Sequence, residues 1–349
     1  MQFIDLESRL ARIREKVDSR VATVLDHGQY ILGPEVSEFE DKLAQFAKVK
    51  HAVSCSSGTD ALLIPLMAWG IGPGDAVFTT PFTYVATAET VAQLGAIPFF
   101  VDVDEKTFNI CVKKLKNKLI KTKKKNLPKV LIIVHHGGNP CDLKGIYNLS
   151  KKYKFRIIED ASHAIGSIYY NNHIGNCKYS DITVFSFHAI KIITTCEGGA
   201  ITTNNTSIFQ KIKLMRTNGI TRDNKKNSNK NKWYYQQKTL GYNFRMNEIQ
   251  AALGLSQIKK IKHFIKKRNK IALFYKSHLN TLPISFQSIN NKSITSYHLF
   301  TIIINLKNVR NKLYNYLQNK NIEANVVYIP LYRHPIHKNY FKITNFPNS

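Results

Sequence analysis

The sequence lacks any apolar run that approaches the roughly 18 residues a membrane-spanning helix needs. Its first residues, MQFIDLESRLARIREK, are charged from the first turns onward, so we expect no secretory signal, no membrane partner and a cytoplasmic location. The 5 cysteines are scattered, with neither a CxxC pair nor the spacing of metal ligands. We therefore predict no metal site, and thiols of this kind are ordinary in a reduced cytoplasm.

Acidic residues become scarce after residue 110. Residues 1–110 hold 9 basic and 15 acidic residues, whereas residues 111–349 hold 42 basic and 8 acidic residues. A polycation of this size could bind nucleic acid, but no helix-turn-helix, zinc-finger or aromatic RNA-binding signature accompanies the charge. The runs KTKKKNLPK and TRDNKKNSNKNK fall where loops are expected. We interpret them as solvated surface, expect no specific nucleic-acid partner, and predict only salt-sensitive binding to polyanions.

Short apolar segments alternate with helical ones through the first two thirds of the chain, which predicts an α/β domain with a mixed, mostly parallel sheet. Helical spacing covers residues 6–27, 35–47 and 83–94. A strand is expected in GPGDAVFTT, and further strands are predicted at 97–104, 129–136, 155–161, 181–187 and 198–203.

The pattern changes near residue 246. NEIQAALGLSQIKKIKHFIKKRNKIALFYKSHL is predicted as one long helical stretch. Strand candidates HLFTIIINL and ANVVYIP follow it, on either side of a helix near 308–319. We therefore predict a large domain over residues 1–245 and a smaller α+β domain over residues 246–349.

Two segments place polar groups where α/β sheets place ligands. SSGTDAL carries Gly58 and Thr59 at a strand-to-helix junction, where free backbone N–H groups suit a phosphate, although the same residues also cap ordinary helices. EDASHA follows an apolar strand, so Asp160 could pair with a cationic ring nitrogen or serve as the N-cap of a following helix. Both pairs of interpretations stay open at this point.

SFHAIKIITTCEGGA is the most informative stretch. Lys191 lies among apolar and β-branched residues with no acid beside it in sequence. Burial of such a lysine lowers its pKa, and a lysine with a lowered pKa is the type that forms a Schiff base. The alternative is a lysine that extends from a strand edge to solvent.

In this order, a phosphate site, an aromatic segment, a strand-terminal Asp and a lysine followed by Gly-Gly are typical of an enzyme that uses pyridoxal phosphate (PLP). The chain resembles the DegT/DnrJ/EryC1/StrS family of sugar aminotransferases, which implies the aspartate aminotransferase-like type I fold. The likeness runs through GQYILGPEV, SSGTDAL, GIGPGD, FTYVATAET, GAIPFFVDVD, IIEDASHAIG, SFHAIKIITTCEGGA and GYNFRMNEIQAALG.

The resemblance implies roles for four residues around the cofactor ring. Lys191 would form the Schiff base and move protons, and Asp160 would pair with the ring nitrogen. Tyr84 would stack on the ring, although it could instead be a core aromatic. His163 stands where the family has Gln or His, and would lie near the ring oxygen or the ring face.

The resemblance also implies a phosphate site and a second subunit. Gly58, Thr59 and Ser186 would bind the phosphate, and Asn243 would reach the phosphate of the partner subunit. A homodimer with shared active sites is therefore expected. His188 is a weaker candidate that could merely shape the lysine loop.

The resemblance implies transamination, because members that dehydrate their substrate have His in place of the lysine. Glutamate is the expected amino donor. Residues from about 130 onward resemble members that act on a UDP-4-keto-6-deoxy-N-acetylhexosamine in pseudaminic acid synthesis, and we favour that substrate. Residues 1–110 resemble members that act on a UDP-3-keto-N-acetylglucosaminuronic acid in O-antigen synthesis. That substrate is one alternative, and a non-catalytic polycationic protein on a degenerate PLP fold is another.

The two likenesses meet where the charge balance changes, so we hypothesise a chimera joined near residues 105–115. Val327 stands where the pseudaminic relatives tend to have His. The chain stops at NFPNS, before a final helix that the resemblance implies, so an incomplete small domain is also expected.

Overall fold

The structure is a computed structural model that describes residues 2, 4–221, 233–338 and 346–349. The helices in these ranges are α1 (Leu6–Ala11), α2 (Arg14–His27), α3 (Pro34–Ala47), α4 (Gly58–Ala68), α5 (Ala86–Gln93), α6 (Val112–Lys121), α7 (Leu143–Tyr153), α8 (Thr206–Met215), α9 (Glu248–Ile258), α10 (Ile261–Leu279), α11 (Arg310–Asn319) and α12 (Pro335–Lys338).

The strands in the same ranges are β1 (His51–Cys55), β2 (Ala76–Thr79), β3 (Ile97–Phe100), β4 (Val130–Val134), β5 (Arg156–Asp160), β6 (Ile168–Tyr169), β7 (Asn172–His173), β8 (Ile182–Ser186), β9 (Gly199–Thr203), β10 (Ile220–Thr221), β11 (Gln236–Gln237), β12 (Ile284–Phe286), β13 (Ser293–Ile294) and β14 (Ile302–Ile304).

A seven-stranded sheet forms the centre of the molecule, in the order β1-β9-β8-β5-β4-β2-β3. Strands β3, β2, β4, β5 and β8 are parallel, and β9 runs antiparallel to both β8 and β1. Six strands therefore point the same way, and their carboxyl ends share one edge of the sheet. The predicted α/β class and the mixed, mostly parallel sheet are confirmed.

Alternate residues of the buried strands pack on opposite faces of the sheet, as the two-residue period of a strand requires. In β4, Leu131 and Ile133 face a core built with α3, α6, α7, α9 and the start of α10. Val130 and Ile132 face a second core built with α4, α5 and α8. Apolar runs such as VLIIV are thus buried on both faces, which is why they show no polar alternation.

Two predictions beyond residue 246 are wrong in detail. The long helical stretch is two helices, α9 and α10, with a break at Lys259 and Lys260. ANVVYIP is not a strand, since residues 324–330 pair with no neighbour among the described residues. The other strand candidate contains β14, which pairs with β12, and the predicted helix near 308–319 is α11.

Helix α9 packs in the same core as the first helices. Ala251, Leu255 and Ile258 belong to the cluster that contains Phe39 and Leu43 of α3. These contacts would move the proposed domain division from residue 246 to beyond Ile258, and the division itself stays a prediction.

Lys123, Lys124 and Lys125 of the first basic run are exposed between α6 and β4, as the solvated-surface interpretation requires. The second basic run lies almost entirely outside the described residues. Within the described residues, no helix combines the length and apolar character that crossing a bilayer requires.

Candidate active site

The candidate site lies at the carboxyl edge of the sheet. Strands β1, β2, β4, β5 and β8 end there. Apart from Asn243, each predicted ring or phosphate ligand is the last residue of one of these strands or lies within a few residues after it. Loops at this edge are where open α/β sheets bind their ligands. The topology therefore brings together residues that lie more than a hundred positions apart in sequence.

Lys191 lies in the turn after β8, where its backbone N–H donates to the carbonyl of His188 at 2.9 Å. Burial lowers the pKa of Lys191 from its ordinary value of 10.5 to about 8, and the negative charge of Asp160 opposes part of that effect. The lowered pKa agrees with the expectation from the apolar run. Lys191 does not extend from a strand edge, which was the alternative.

Asp160 is the last residue of β5 and is buried. Its Oδ2 accepts a hydrogen bond from Thr87 Oγ1 at 3.0 Å, and its Oδ1 accepts from the Ser162 N–H at 3.1 Å. Residues 162–166 form turns, so the alternative role of Asp160 as a helix N-cap is wrong. The carboxylate is instead held by one donor from the first turn of α5 and one from the turn after β5, with Lys191 close enough to sense its charge.

The first turn of α4 meets the end of β8. A Cβ on Gly58 would lie 2.7 Å from the Cβ of Ser186, so only glycine permits this close approach. Ser57 is the N-cap and accepts from the Asp60 N–H at 3.0 Å. From the sequence, this segment could be a phosphate site or an ordinary helix cap. In the structure Ser57 caps the helix, and Gly58, Thr59 and Ser186 still lie together at the sheet edge, so the cap does not exclude a phosphate site.

Tyr84 lies on the other side of the site, in the loop between β2 and α5. Its side chain is 60% exposed, so the alternative of a core aromatic is wrong. Its ring centroid is 6.4 Å from that of Tyr328. An exposed aromatic ring beside Tyr328 is available to cover a flat ligand.

His163 is buried in the turn after β5, and its Nε2 lies 3.1 Å from the hydroxyl of Tyr328. Its backbone carbonyl accepts from Ser296 Oγ at 2.6 Å. Burial chiefly, with smaller contributions from Lys191 and two histidines, holds the pKa of His163 well below its ordinary value. The ring is therefore neutral at physiological pH.

The two further histidines are His136 and His298. Their ring centroids lie 6.5 Å and 4.5 Å from that of His163. Burial lowers the pKa of His136 to about 4, and its ring stacks on Phe82 at 5.0 Å between centroids. Aromatic rings thus surround the ring of His163.

The structure brings Thr87 and Tyr328 to the site, and neither residue is among those predicted from the sequence. Thr87 stands inside the quoted motif FTYVATAET, so closer inspection of that motif could have found it. Tyr328 lies in the segment predicted as a strand, and no local signal marks it. Its position depends on tertiary contacts such as the hydrogen bond from the Leu331 N–H to the Pro81 carbonyl, 2.8 Å.

Two predicted residues lie at the periphery. The backbone of Asn243 bridges to Thr217 in an antiparallel pair, and its side chain is exposed. His188 Nε2 lies 3.7 Å from Glu197 Oε1, which agrees with a role in shaping the lysine loop. Whether Asn243 reaches a second subunit stays a prediction.

The residues at the carboxyl edge fit the implied cofactor. The buried Nδ1 of His163 has no hydrogen-bond partner among the described residues. Leaving a buried polar group unpaired costs about 1–3 kcal/mol, which a polar atom of a bound ligand would offset. Together with the buried Asp160, the lowered pKa of Lys191 and the exposed ring of Tyr84, this atom indicates a site shaped for a polar, flat, anionic molecule.

Comparison with known proteins identifies the family. The model of the DegT/DnrJ/EryC1/StrS aminotransferase family matches residues 11–349. A UDP-2-acetamido-2-deoxy-3-oxo-D-glucuronate aminotransferase of Pseudomonas aeruginosa is 38% identical over 303 residues, which are 86% of this chain and 79% of that protein. A UDP-4-amino-4,6-dideoxy-N-acetyl-beta-L-altrosamine transaminase of Campylobacter jejuni is 36% identical over 309 residues, 88% of this chain and 79% of that protein.

Solved structures share the fold. A DegT DnrJ EryC1 StrS aminotransferase from Brucella abortus superposes with a TM-score of 0.91 at 32% identity, covering 100% of this chain and 90% of its own. The PLP-form of Spr1654 from Streptococcus pneumoniae gives a TM-score of 0.86 at 28% identity, covering 96% and 88%. The likeness therefore extends over nearly the whole chain in sequence and in three dimensions.

Proposed function

Because the chain belongs to the DegT/DnrJ/EryC1/StrS aminotransferase family, we propose that it transfers an amino group from glutamate to a UDP-4-keto-6-deoxy-N-acetylhexosamine. The protein is a PLP-dependent nucleotide-sugar aminotransferase. The sugar, the donor and the roles of individual residues are the proposal. The observation that carries these roles is the position of Asp160 and Lys191 at the carboxyl ends of the paired strands β5 and β8, with Asp160 the last residue of β5 and Lys191 in the turn after β8.

We propose that Asp160 holds the cofactor through its ring nitrogen. A buried carboxylate beside that nitrogen favours its protonated form, and bound PLP then supplies an electron sink for the charge that develops at the substrate carbon. Thr87 and the Ser162 N–H each occupy one carboxylate oxygen, which fixes the plane of the group. Each oxygen keeps a lone pair to accept from the ring nitrogen.

The first turn of α4 would bind the cofactor phosphate. The N–H groups of Gly58 and Thr59 begin the helix, where donors lack intrahelical partners and the helix dipole favours an anion. The hydroxyl of Ser186 lies against Gly58. Tyr84 would cover one face of the ring, and His163 would meet a ring substituent.

Lys191 would hold the cofactor and then move protons at its Nζ. An amine with a pKa of about 8 is partly neutral near physiological pH, so it can both accept and return a proton. The expected contribution of such a positioned base is about 10²–10⁴-fold in rate. Bound PLP would serve as the carrier of the amino group between the donor and the keto sugar.

The choice of sugar is supported by the residues that surround the cofactor. Asp160, His163, Lys191 and Tyr328 all follow residue 130, in the part of the chain whose motifs resemble the pseudaminic acid enzymes. The alternative substrate, a UDP-3-keto-N-acetylglucosaminuronic acid, is supported by the 38% identity of the Pseudomonas aeruginosa relative. Both relatives align with more than four fifths of this chain.

The substrate test is a direct competition between the two keto sugars. The purified protein is incubated with PLP and glutamate, and each UDP-sugar product is quantified by mass spectrometry. Amination of the 4-keto sugar with at least about tenfold higher kcat/KM, a difference of about 1.4 kcal/mol, supports the proposal. Turnover of the 3-keto sugar alone would establish the alternative.

The cofactor assignment is tested by spectroscopy without any sugar. Wild-type protein with PLP is expected to show the absorbance of cofactor bound through a lysine amine, and Lys191→Ala is expected to lose it. Lys211→Ala, a change at an exposed lysine of α8, is the matched control. A Lys191→Ala protein that keeps the wild-type spectrum would show that another residue holds the cofactor.

We also propose a homodimer whose two sites each use Asn243 of the partner. The proposal is supported by large hydrophobic side chains that are exposed in two segments near Asn243. One segment directly precedes Asn243, and the other pairs with Asn247 through Ile31. The exposed side chains are Tyr30, Ile31, Leu32, Trp233, Tyr235, Leu240 and Tyr242. Monomeric proteins rarely expose apolar patches of this kind. A second copy would cover them.

Mixing variants tests the shared sites. Lys191→Ala and Asn243→Ala proteins should each be impaired, and a subunit-exchanged mixture should regain activity because some dimers carry one intact site. Sedimentation of the wild type as a monomer, or no recovery in a mixture shown to have exchanged subunits, would contradict the proposal.

A further inference from the structure

We propose that Tyr328 is a positioning residue for the cofactor and that it acts through His163. Its hydroxyl lies 3.1 Å from His163 Nε2, and the two rings are nearly parallel, with an interplanar angle of 15° and centroids 6.2 Å apart. The inference rests on the proposed cofactor site. It adds a residue that enters the site from a segment more than 160 positions away in sequence.

The hydrogen bond has one favoured direction. A phenol is a better donor than a neutral imidazole N–H, and an imidazole nitrogen is a better acceptor than a phenol oxygen. Burial raises the pKa of Tyr328, which keeps the phenol protonated, and burial keeps His163 neutral. Tyr328 therefore donates to Nε2, and the single ring proton of His163 stands on Nδ1.

This tautomer turns the unpaired atom of the site into a donor. Nδ1 is the buried nitrogen without a partner among the described residues. With its proton fixed there, His163 can donate to an oxygen of the bound cofactor but cannot accept from it. Tyr328 thereby determines which kind of ligand atom His163 can meet.

Contacts outside the site fix the positions of the His163 and Tyr328 rings. The His163 carbonyl accepts from Ser296 Oγ, and the segment that carries Tyr328 is tied to the loop after β2 by the Leu331–Pro81 hydrogen bond. These contacts hold the Tyr328 hydroxyl beside Nε2 of His163. Removing the hydroxyl should therefore remove one hydrogen bond without reorganising the fold.

The groups that face His163 decide how its charge responds to pH. They are Lys191 from the turn after β8, His136 from the turn after β4, His298 from the segment after β13, and Tyr328 itself, which also senses Asp160. Lys191 and the two histidines oppose a positive charge on His163. The donated hydrogen bond acts in the same direction because it stabilises the neutral ring.

The test is a double-mutant cycle on PLP affinity, with no sugar or amino donor present. Tyr328→Phe should weaken PLP binding by about 2- to 12-fold, the equivalent of one hydrogen bond. His163→Ala, which removes both ring nitrogens, should weaken it as well, and adding Tyr328→Phe to His163→Ala should cause no further loss. Tyr332→Phe is the matched control, since that buried tyrosine donates to the Ser349 carbonyl at 2.9 Å, away from His163.

A pH series separates positioning from a purely structural role. Without the donated hydrogen bond the pKa of His163 should rise, so the acid-side loss of PLP affinity should move upward by about 0.4–1 pH unit in Tyr328→Phe. His163→Ala should abolish that difference. Losses that multiply in the double variant, or a Tyr328→Phe protein with wild-type affinity and pH profile, would overturn the inference. Because the assay contains only protein and PLP, its result is independent of which sugar the enzyme uses.

Discussion

The two parts of the chain on either side of residue 110 carry charge of opposite sign, yet they share one core and one site. Phe78 and Val101 from the first part pack in the same cluster as Leu115 and Leu131 from the second. In the site, Thr87 from the first part donates to Asp160 from the second. The change in charge is therefore a property of the surface.

This comparison bears on the chimera hypothesis. Alignments of 303 and 309 residues cannot fit on one side of residue 110, so neither sugar-aminotransferase relative resembles only one part of the chain. The join near residues 105–115 stays a prediction, and changes in the shared core and at the shared site test how well the two parts fit.

The largest expected effect is in the core next to the hypothesised join. Leu115 of α6 is fully buried among residues from both parts, so Leu115→Ala should lower the free energy of unfolding by about 2–5 kcal/mol in urea. Ile120→Ala on the same helix is the control, because Ile120 is 61% exposed and should cost less than about 0.5 kcal/mol. Equal, small effects of the two changes would indicate a poorly packed join.

A second effect separates Lys191 from the other basic residues that follow residue 110. Its pKa in the folded apoprotein is about 8, below the ordinary value of 10.5. Burial of the charged amine therefore lowers the free energy of unfolding by its full amount below pH 8, and this cost disappears as the pH rises to 10.5. Relative to Lys191→Met, the wild-type apoprotein should therefore gain up to about 3 kcal/mol over that interval. Unfolding in urea at several pH values measures this, and Lys211→Met should leave the gain in place. A parallel pH dependence of the wild type and Lys191→Met would mean that Lys191 is not desolvated.

The sequence predicted the elements that local pattern determines. Apolar runs such as VLIIV form the central strands, and the strand-terminal Asp160 and the turn lysine Lys191 were found from their neighbours in sequence. Helical spacing continues through Lys259 and Lys260, so periodicity alone could not show the break between α9 and α10. ANVVYIP has the composition of a strand, but tertiary contacts place it against the site, and no strand pairs with it in the part of the chain that the structure describes. Tyr328 and His163 meet across 165 positions, a contact that no local pattern contains.

The third change breaks the hydrogen bond that joins the two parts at the site. Thr87 Oγ1 donates to Asp160 and lies 3.0 Å from Thr83 Oγ1, so Thr87→Val removes a donor from a buried carboxylate. We expect a loss of about 1.5–3 kcal/mol in the free energy of unfolding of the apoprotein. Thr90→Val is the control, because its hydroxyl donates to the neutral Ala86 carbonyl at 3.0 Å and should cost only about 0.5–1 kcal/mol. Equal losses of stability in Thr87→Val and Thr90→Val would mean that the hydrogen bond to Asp160 contributes no more than one to a neutral carbonyl.

The smallest expected effect on stability is at the basic surface. Replacing the exposed lysines 123–125 by Gln should change the free energy of unfolding by less than about 0.5 kcal/mol, because they lie outside both cores. If these lysines contribute only non-specific electrostatic attraction to polyanions, the salt dependence of binding to duplex DNA should weaken slightly. The slope of log affinity against log salt concentration should then fall by at most about 0.9 for each lysine replaced. The same number of replacements before residue 110 is the control, at the exposed residues Lys16, Lys48 and Lys50. A loss of affinity that is confined to one DNA sequence and persists at high salt would instead mean that the basic part binds nucleic acid specifically, which would make the charge difference functional.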